Sequence, residues 1–192
     1  MGLNLVTAPT LEPVTVEEIK DHLRIDIDTE DTLLSELIKV ARIHCEKLQG
    51  WVYLTQTYDW YLDDFPDMPL DIPLPPLQSI THIKYTDTDG TETEYTSTYY
   101  NEDIYSFPGR INFAYGMVWP SVTLQTLNGV VIRFIAGYTD RAHVPREVKE
   151  AIKLLVGHLY EHREETTNER ILQNIPLGIY SLLDMDRMIT LP

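Results

Sequence analysis

Two kinds of periodicity share this chain, and they occupy different stretches of it. From Thr15 to Gly50, and again beyond Pro145, apolar residues recur at helical spacing. Between Trp51 and about Asp140, Thr, Tyr, Val and Ile dominate, broken by Pro, Gly and Asp. A pattern of period 3.6 does not settle as a strand, nor one of period 2 as a helix. The fold class is therefore α+β, with the strands confined to the centre. We expect one domain over residues 1–192: an α-helical bundle of about four helices from 14–50 plus 141–190, with a β-rich insertion at 51–140.

Local signals place the elements. Residues 1–13 carry Pro9 and Pro13 and no period, and read as an extended arm. Thr15 and Glu18 match a capping box, in which each side chain takes a free backbone N–H of the first turn, so a short helix follows with Val16, Ile19 and Leu23 inward. Asp28 to Asp31 puts acid at the positive end of a second helix. Leu34, Leu37, Ile38, Ala41, Cys45 and Leu48 form its apolar face, and Gly50 stops it. Val40 and Ile43 fall off that face, which means either a wider buried stripe or a subunit contact. Strands are expected at 55–63, 79–87, 91–97, 101–105, 110–113 and 130–138, with a hairpin turn at Thr88-Asp89-Gly90. Pro145 begins a third helix with Leu154, Leu155 and Val156 buried. Gly157 within it suggests close packing of another backbone. Pro176 restarts a last helix with Ile179, Leu182 and Leu183 inward.

Chemistry is sparse. His158-Leu-Tyr-Glu161-His162 fits the H-x-x-E-H pattern of a zinc peptidase helix, with two imidazoles one turn apart and Glu161 as base. A third protein ligand is required, and only polar loop acids (Glu164, Glu165, Glu169) are near in sequence. The plainer reading, two amphipathic histidines at the edge of a buried helix, is preferred, and no metal or other cofactor is expected. The acids of residues 87–94 read as a solvated hairpin tip; D-T-D-G is too short for a calcium loop. Cys45 lies on an apolar stripe and reads as a core residue. No nucleophile elbow, phosphate loop or dinucleotide fingerprint occurs. With 15 Lys+Arg against 30 Asp+Glu, the formal charge of -15 argues against gripping phosphate. No membrane span or cationic leader is seen in the sequence. A single cysteine excludes an internal disulfide.

Several segments together resemble one family. They are P-V-T-V-E-E-I-K-D-H-L-R-I-D (13–26), D-T-L-L-S-E-L-I-K-V-A-R (31–42), L-P-P-L-Q-S-I-T-H-I-K-Y-T-D-T-D-G (74–90) and F-P-G-R-I (107–111). Further pieces are V-I-R-F-I-A-G-Y-T-D (131–140), V-P-R-E-V-K-E-A-I-K-L-L-V-G-H-L-Y-E-H-R-E (144–164) and I-P-L-G-I-Y-S-L-L (175–183). In order and approximate spacing the chain resembles the head–tail connector, or adaptor, proteins of tailed bacteriophages, in the branch with a β-rich insertion.

The resemblance implies a structural virion protein without catalytic activity, made in the host bacterial cytoplasm and residing at the head–tail junction. It implies a ring of roughly a dozen copies below the portal, closed by a head-to-tail contact, with DNA passing through unbound. The partners implied are the chain itself, the portal protein and a downstream stopper or tail-completion protein, with no membrane. An acidic lumen would repel phosphate. The ring contact is expected on the second face of helix two, at Glu36, Val40, Ile43 and Lys47. Portal docking is expected on the C-terminal segment, at Ile175, Pro176, Met188, Ile189 and Leu191, with the arm Gly2–Pro13 as a second candidate. The alternatives are another neck or tail-completion part and, of a different class, the zinc hydrolase.

Overall fold

A computed structural model describes residues 2–162 and 177–184. They form a mixed α+β fold whose strand pairs are all antiparallel. Two compact units are present. Unit 1 comprises residues 1–10 and 55–138; unit 2 comprises 11–54 and 139–192.

Unit 1 holds the strands. β1 (Gly2–Thr7), β2 (Gln56–Leu62), β8 (Val130–Ala136), β4 (Leu77–Thr86) and β5 (Glu92–Tyr95) make a five-stranded sheet in that order. β3 (Leu70–Asp71), β7 (Arg110–Phe113) and β6 (Tyr100–Asp103) make a three-stranded one. β8 is the central strand of the larger sheet. Its β-branched and aromatic run alternates strictly, burying Val130, Ile132, Phe134 and Ala136, as a strand with one face in a core must. Asp59 of β2 sits opposite Arg133 of β8 and takes two hydrogen bonds from its guanidinium, at 2.7 and 2.8 Å. The β4–β5 hairpin turns at Asp87, whose Oδ1 accepts from the N–H groups of Asp89 and Thr91, while Gly90 takes φ 81°. That is the left-handed conformation only glycine adopts freely.

The 114–129 connection is anchored by an aromatic cluster. Trp119 donates its indole N–H to the Pro66 carbonyl at 2.7 Å and lies 4.7–5.2 Å, ring to ring, from Phe65, Tyr95 and Phe113. Phe65 stacks on Trp119 and Phe113 meets it edge to face, the arrangements their quadrupoles favour, while Tyr95 is tilted against it. The Tyr-rich centre is thus partly a core in its own right.

Residues 2–7 correct the sequence reading: the extended arm is a strand. β1 pairs along β2 from Gly2 opposite Tyr61 to Thr7 opposite Thr57, with a bulge between Leu5 and Thr7. All six residues stay exposed, Leu3, Leu5 and Val6 included.

Unit 2 holds helices α1 (Val16–Leu23), α2 (Asp31–Gln49), α3 (Arg146–Glu161) and α4 (Leu177–Leu183). The Thr15–Glu18 capping box is formed in both directions, at 3.1 and 2.8 Å. α1 ends at Arg24, in the left-handed region, and Lys20 ties it to the start of α2 by reaching Asp28 and Asp31. α2 ends at Gly50 with φ 73°. α2 packs on α3, and α3 on α4. Ile19 is buried while Val16 and Leu23 are only half-buried, and in α4 Ile179 and Leu183 turn inward with Leu182 half-buried.

Three expectations for these helices are revised. Pro145 is the N-cap of α3, one residue before its first turn. Leu154 is 39% exposed, so α3 has a solvent side and buries only Val148, Ala151, Ile152 and Leu155–Gly157. The neighbour that favours glycine at 157 is a side chain, not a backbone: a Cβ there would lie 3.2 Å from Leu23 Cδ2.

Candidate assembly interface

α2 is the best-anchored element of unit 2. Leu34, Ile38, Ala41 and Cys45 line its buried side. Arg42 is buried with them because two carboxylates meet it: Nε donates to Glu12 at 2.8 Å and Nη1 to Glu46 at 2.7 Å. Glu46 also accepts the backbone N–H of Tyr53 at 3.0 Å, and the Tyr53 hydroxyl donates to Gln49 at 2.7 Å. A buried guanidinium requires such partners, since an uncompensated charge away from water is costly. The network fixes α2 against the segment before α1 and the chain that follows Gly50.

The opposite side of α2 is open. Glu36, Val40, Ile43 and Lys47 are all exposed, Val40 at 52% and Ile43 at 43%. The wider buried stripe is therefore excluded within the described residues, and the structure brings the four residues together on one uncovered face. Leu33, at 37%, extends the same stripe and was missed by sequence reasoning. Its signal was available: positions 33, 36, 40, 43 and 47 alternate in steps of three and four residues, the spacing of a helix–helix seam. Glu36 is matched by Lys39 at 2.7 Å, whereas Lys47 has no ion-pair partner among the described residues.

The residues assigned to docking, Ile175, Pro176, Met188, Ile189 and Leu191, lie outside the described residues. The arm does not stand as a free docking segment, because Gly2–Thr7 is paired in the sheet. The two edges of that sheet contrast. β5 carries Glu92 and Glu94, a common protection against stray pairing, while β1 carries no charge and no proline.

Among the described residues the H-x-x-E-H residues do not assemble a site, and Glu164, Glu165 and Glu169 lie outside the described residues. His158 and His162 have ring centroids 4.5 Å apart, and His162 Nδ1 sits 2.9 Å from the His158 carbonyl oxygen. Glu161 and His162 are exposed, and His158 Nε2 is buried with no hydrogen-bond partner among the described residues. Among the described residues no three His, Cys, Asp or Glu side chains come together as a metal cage. Cys45 is fully buried and its thiol is pushed up to about 12, chiefly by desolvation, which leaves no thiolate for nucleophilic chemistry at neutral pH.

Electrostatically, unit 1 is one-sided. It has eleven Asp+Glu against three Lys+Arg, a formal -8. All three cations are spent on internal pairs: Lys84 with Glu92 at 2.6 Å, Arg110 with Asp103 at 3.0 Å and Arg133 with Asp59 at 2.7 Å. Asp59 is held below the usual carboxylate range, first by its hydrogen bonds from Arg133. Nothing in unit 1 is left to neutralise a phosphate backbone. Among the described residues no helix is long and apolar enough to cross a membrane.

Comparison with solved structures shows the same fold elsewhere. A chain from the virion of the native gene transfer agent particle and one from the neck of the empty particle, computed with C6 symmetry, each superpose with a TM-score of 0.80. A chain from the native neck, computed with C12 symmetry, superposes at 0.77. In all three cases the identity is 23%, over 100% of this chain and 98% of the other. No curated protein sequence matches. Residues 13–107, which run from the start of unit 2 through α1, α2 and strands β2 to β6 of unit 1, match the phage gp6-like head-tail connector proteins.

Proposed function

We propose that this chain acts as the adaptor of a phage-type neck. Copies close into a ring below the portal of the filled head, join the head to the tail and let DNA pass along the axis, with no bond made or broken. The observation that carries the reading is the family match over residues 13–107. The shared fold with gene transfer agent neck chains, described with C6 and C12 symmetry, supports a cyclic assembly of about twelve copies. In this reading the helices, as a bundle interrupted by the β-rich insertion, build the ring.

The uncovered stripe of α2, with Glu36, Val40, Ile43 and Lys47, is the surface we assign to the ring contact. The acid surplus of unit 1 suits a surface that DNA must slide past, because like charge repels phosphate. The C-terminal segment, with Ile175, Pro176, Met188, Ile189 and Leu191, is assigned to the portal: its apolar residues can add to a sheet edge or fill a groove. A stopper or tail-completion protein takes the other end of the ring. The site of action is the head–tail junction of the virion, after synthesis in the host cytoplasm.

Tailless heads from cells lacking this protein provide the test. Added full-length chain should co-sediment with heads that carry portal, not with portal-free shells, and should restore tail joining. Heads without the protein that still take tails normally would overturn the proposal.

A further inference from the structure

The ring reading requires a second, different surface to receive the α2 stripe, and we propose that it is the outer face of α3 on the next copy. This inference rests on the ring proposed above and names its contact.

The first observation is geometric. The α2 stripe lies on the side of its helix away from the buried residues; the α3 stripe does so at Glu147, Glu150 and Leu154 and is interrupted at Gly157, which Leu23 covers; and α2 packs on α3 within unit 2. The two stripes therefore look outward from one helix pair. A contact between unlike faces is head-to-tail and propagates; a contact of α2 with α2 is self-complementary and stops at a dimer.

The second observation is chemical. On α3, Glu147, Glu150, Leu154 and Glu161 share one exposed face, and Leu154 is the large apolar side chain that this helix leaves open. Glu150 is matched by Lys153 at 3.0 Å, while Glu147 and Glu161 have no ion-pair partner among the described residues. The α2 stripe is the complement: Leu33, Val40 and Ile43 are apolar, Glu36 is already matched, and Lys47 is an unmatched cation. Setting Leu154 against Val40 and Ile43 covers three of the four exposed large apolar side chains of the two helices. It also brings Lys47 to an acidic stripe, where opposite charge selects partner and register more than it adds affinity. Two antiparallel α2 stripes would set Lys47 opposite Glu36, which Lys39 already neutralises, and would leave the acids of α3 unmatched.

Disulfide trapping tests the contact on the full-length chain. Val40→Cys and Leu154→Cys are made separately and together. Both positions are exposed, and native Cys45 is fully buried, so it does not compete. On assembly at the heads, a mixture of the two single variants should give a mixed disulfide dimer, each alone none, and the double variant a ladder of linked copies. Lys47→Glu should remove the ladder, and Glu147→Lys or Glu161→Lys in the same chain, whichever acid Lys47 meets, should restore it. A disulfide from Val40→Cys alone, or rings that form on heads without any mixed link, would overturn this assignment and leave the ring standing. A chain that stays monomeric on portal-bearing heads would overturn the ring and this contact together.

Discussion

Gly109→Ala should be among the most damaging single-methyl additions in this chain. Gly109 is buried in the F-P-G-R-I stretch, and a Cβ there would sit 2.4 Å from Leu77 Cβ, 2.8 Å from Cδ2 and 3.2 Å from Cγ. Carbon atoms rest about 3.5–4.0 Å apart, so the closest approach is short by more than an ångström. Neither partner can step aside. Gly109 accepts the Ile72 N–H at 2.7 Å, and Leu77 is 4% exposed and laddered to Ala136 of β8. Overpacking costs about 1–3 kcal/mol, and a clash with a backbone-fixed Cβ belongs at the top of that range. A loss of about 3 kcal/mol lowers Tm by roughly 6–12 °C in a chain of this length. The same change elsewhere supplies the controls. At Gly178 nothing among the described residues lies within 4 Å, so Ala should stabilise α4 by about 0.5–1 kcal/mol. At Gly157 the neighbour is the flexible end of Leu23, 3.2 Å away, and the helix gain offsets the squeeze to within about 0.5 kcal/mol of zero. In a Leu77→Ala background the cost at 109 should largely persist, because the Cβ at 2.4 Å remains. Thermal unfolding followed by circular dichroism reads all four. A Gly109→Ala protein as stable as Gly178→Ala would refute the reasoning.

Three further outcomes are expected. Arg42→Ala leaves Glu12 and Glu46 without their common cation and should cost about 3–5 kcal/mol in urea unfolding, since breaking a buried pair strands its partner; a loss under 1 kcal/mol would contradict the network. Asp59 has a lowered folded pKa, so its pairing with Arg133 contributes fully above the ordinary carboxylate value and is lost as pH falls through the folded value. Asp59→Asn should cost about 2 kcal/mol at neutral pH and make stability less sensitive to acid, as read by denaturation at a series of pH values. Protein purified without chelator should contain no stoichiometric zinc by elemental analysis, and EDTA should leave Tm unchanged; one bound zinc lost on His158→Ala would revive the peptidase reading.

Elements whose stability is local were legible in the residues. The Thr15–Glu18 box, the Gly50 stop, the Asp87–Gly90 turn and the alternation of β8 depend on neighbours a few positions away, and each is found where its pattern stands. The exposed stripe of α2 was half legible: spacing set Val40 and Ile43 apart from the buried face, but only the packed structure shows that nothing in the described chain covers them. β1 was illegible because GLNLVT is a strand by virtue of β2, some fifty residues away, and two nearby prolines masked it. Arg42, a charged residue by sequence, is buried because Glu12 and Glu46 converge on it. The Trp119 cluster gathers Phe65, Tyr95 and Phe113 from three separate stretches with no period to announce it. Periodicity and capping act over a turn or two of chain and so belong to the sequence itself. Pairing partners, buried charge and free surface arise where distant segments meet, and tertiary structure alone decides them.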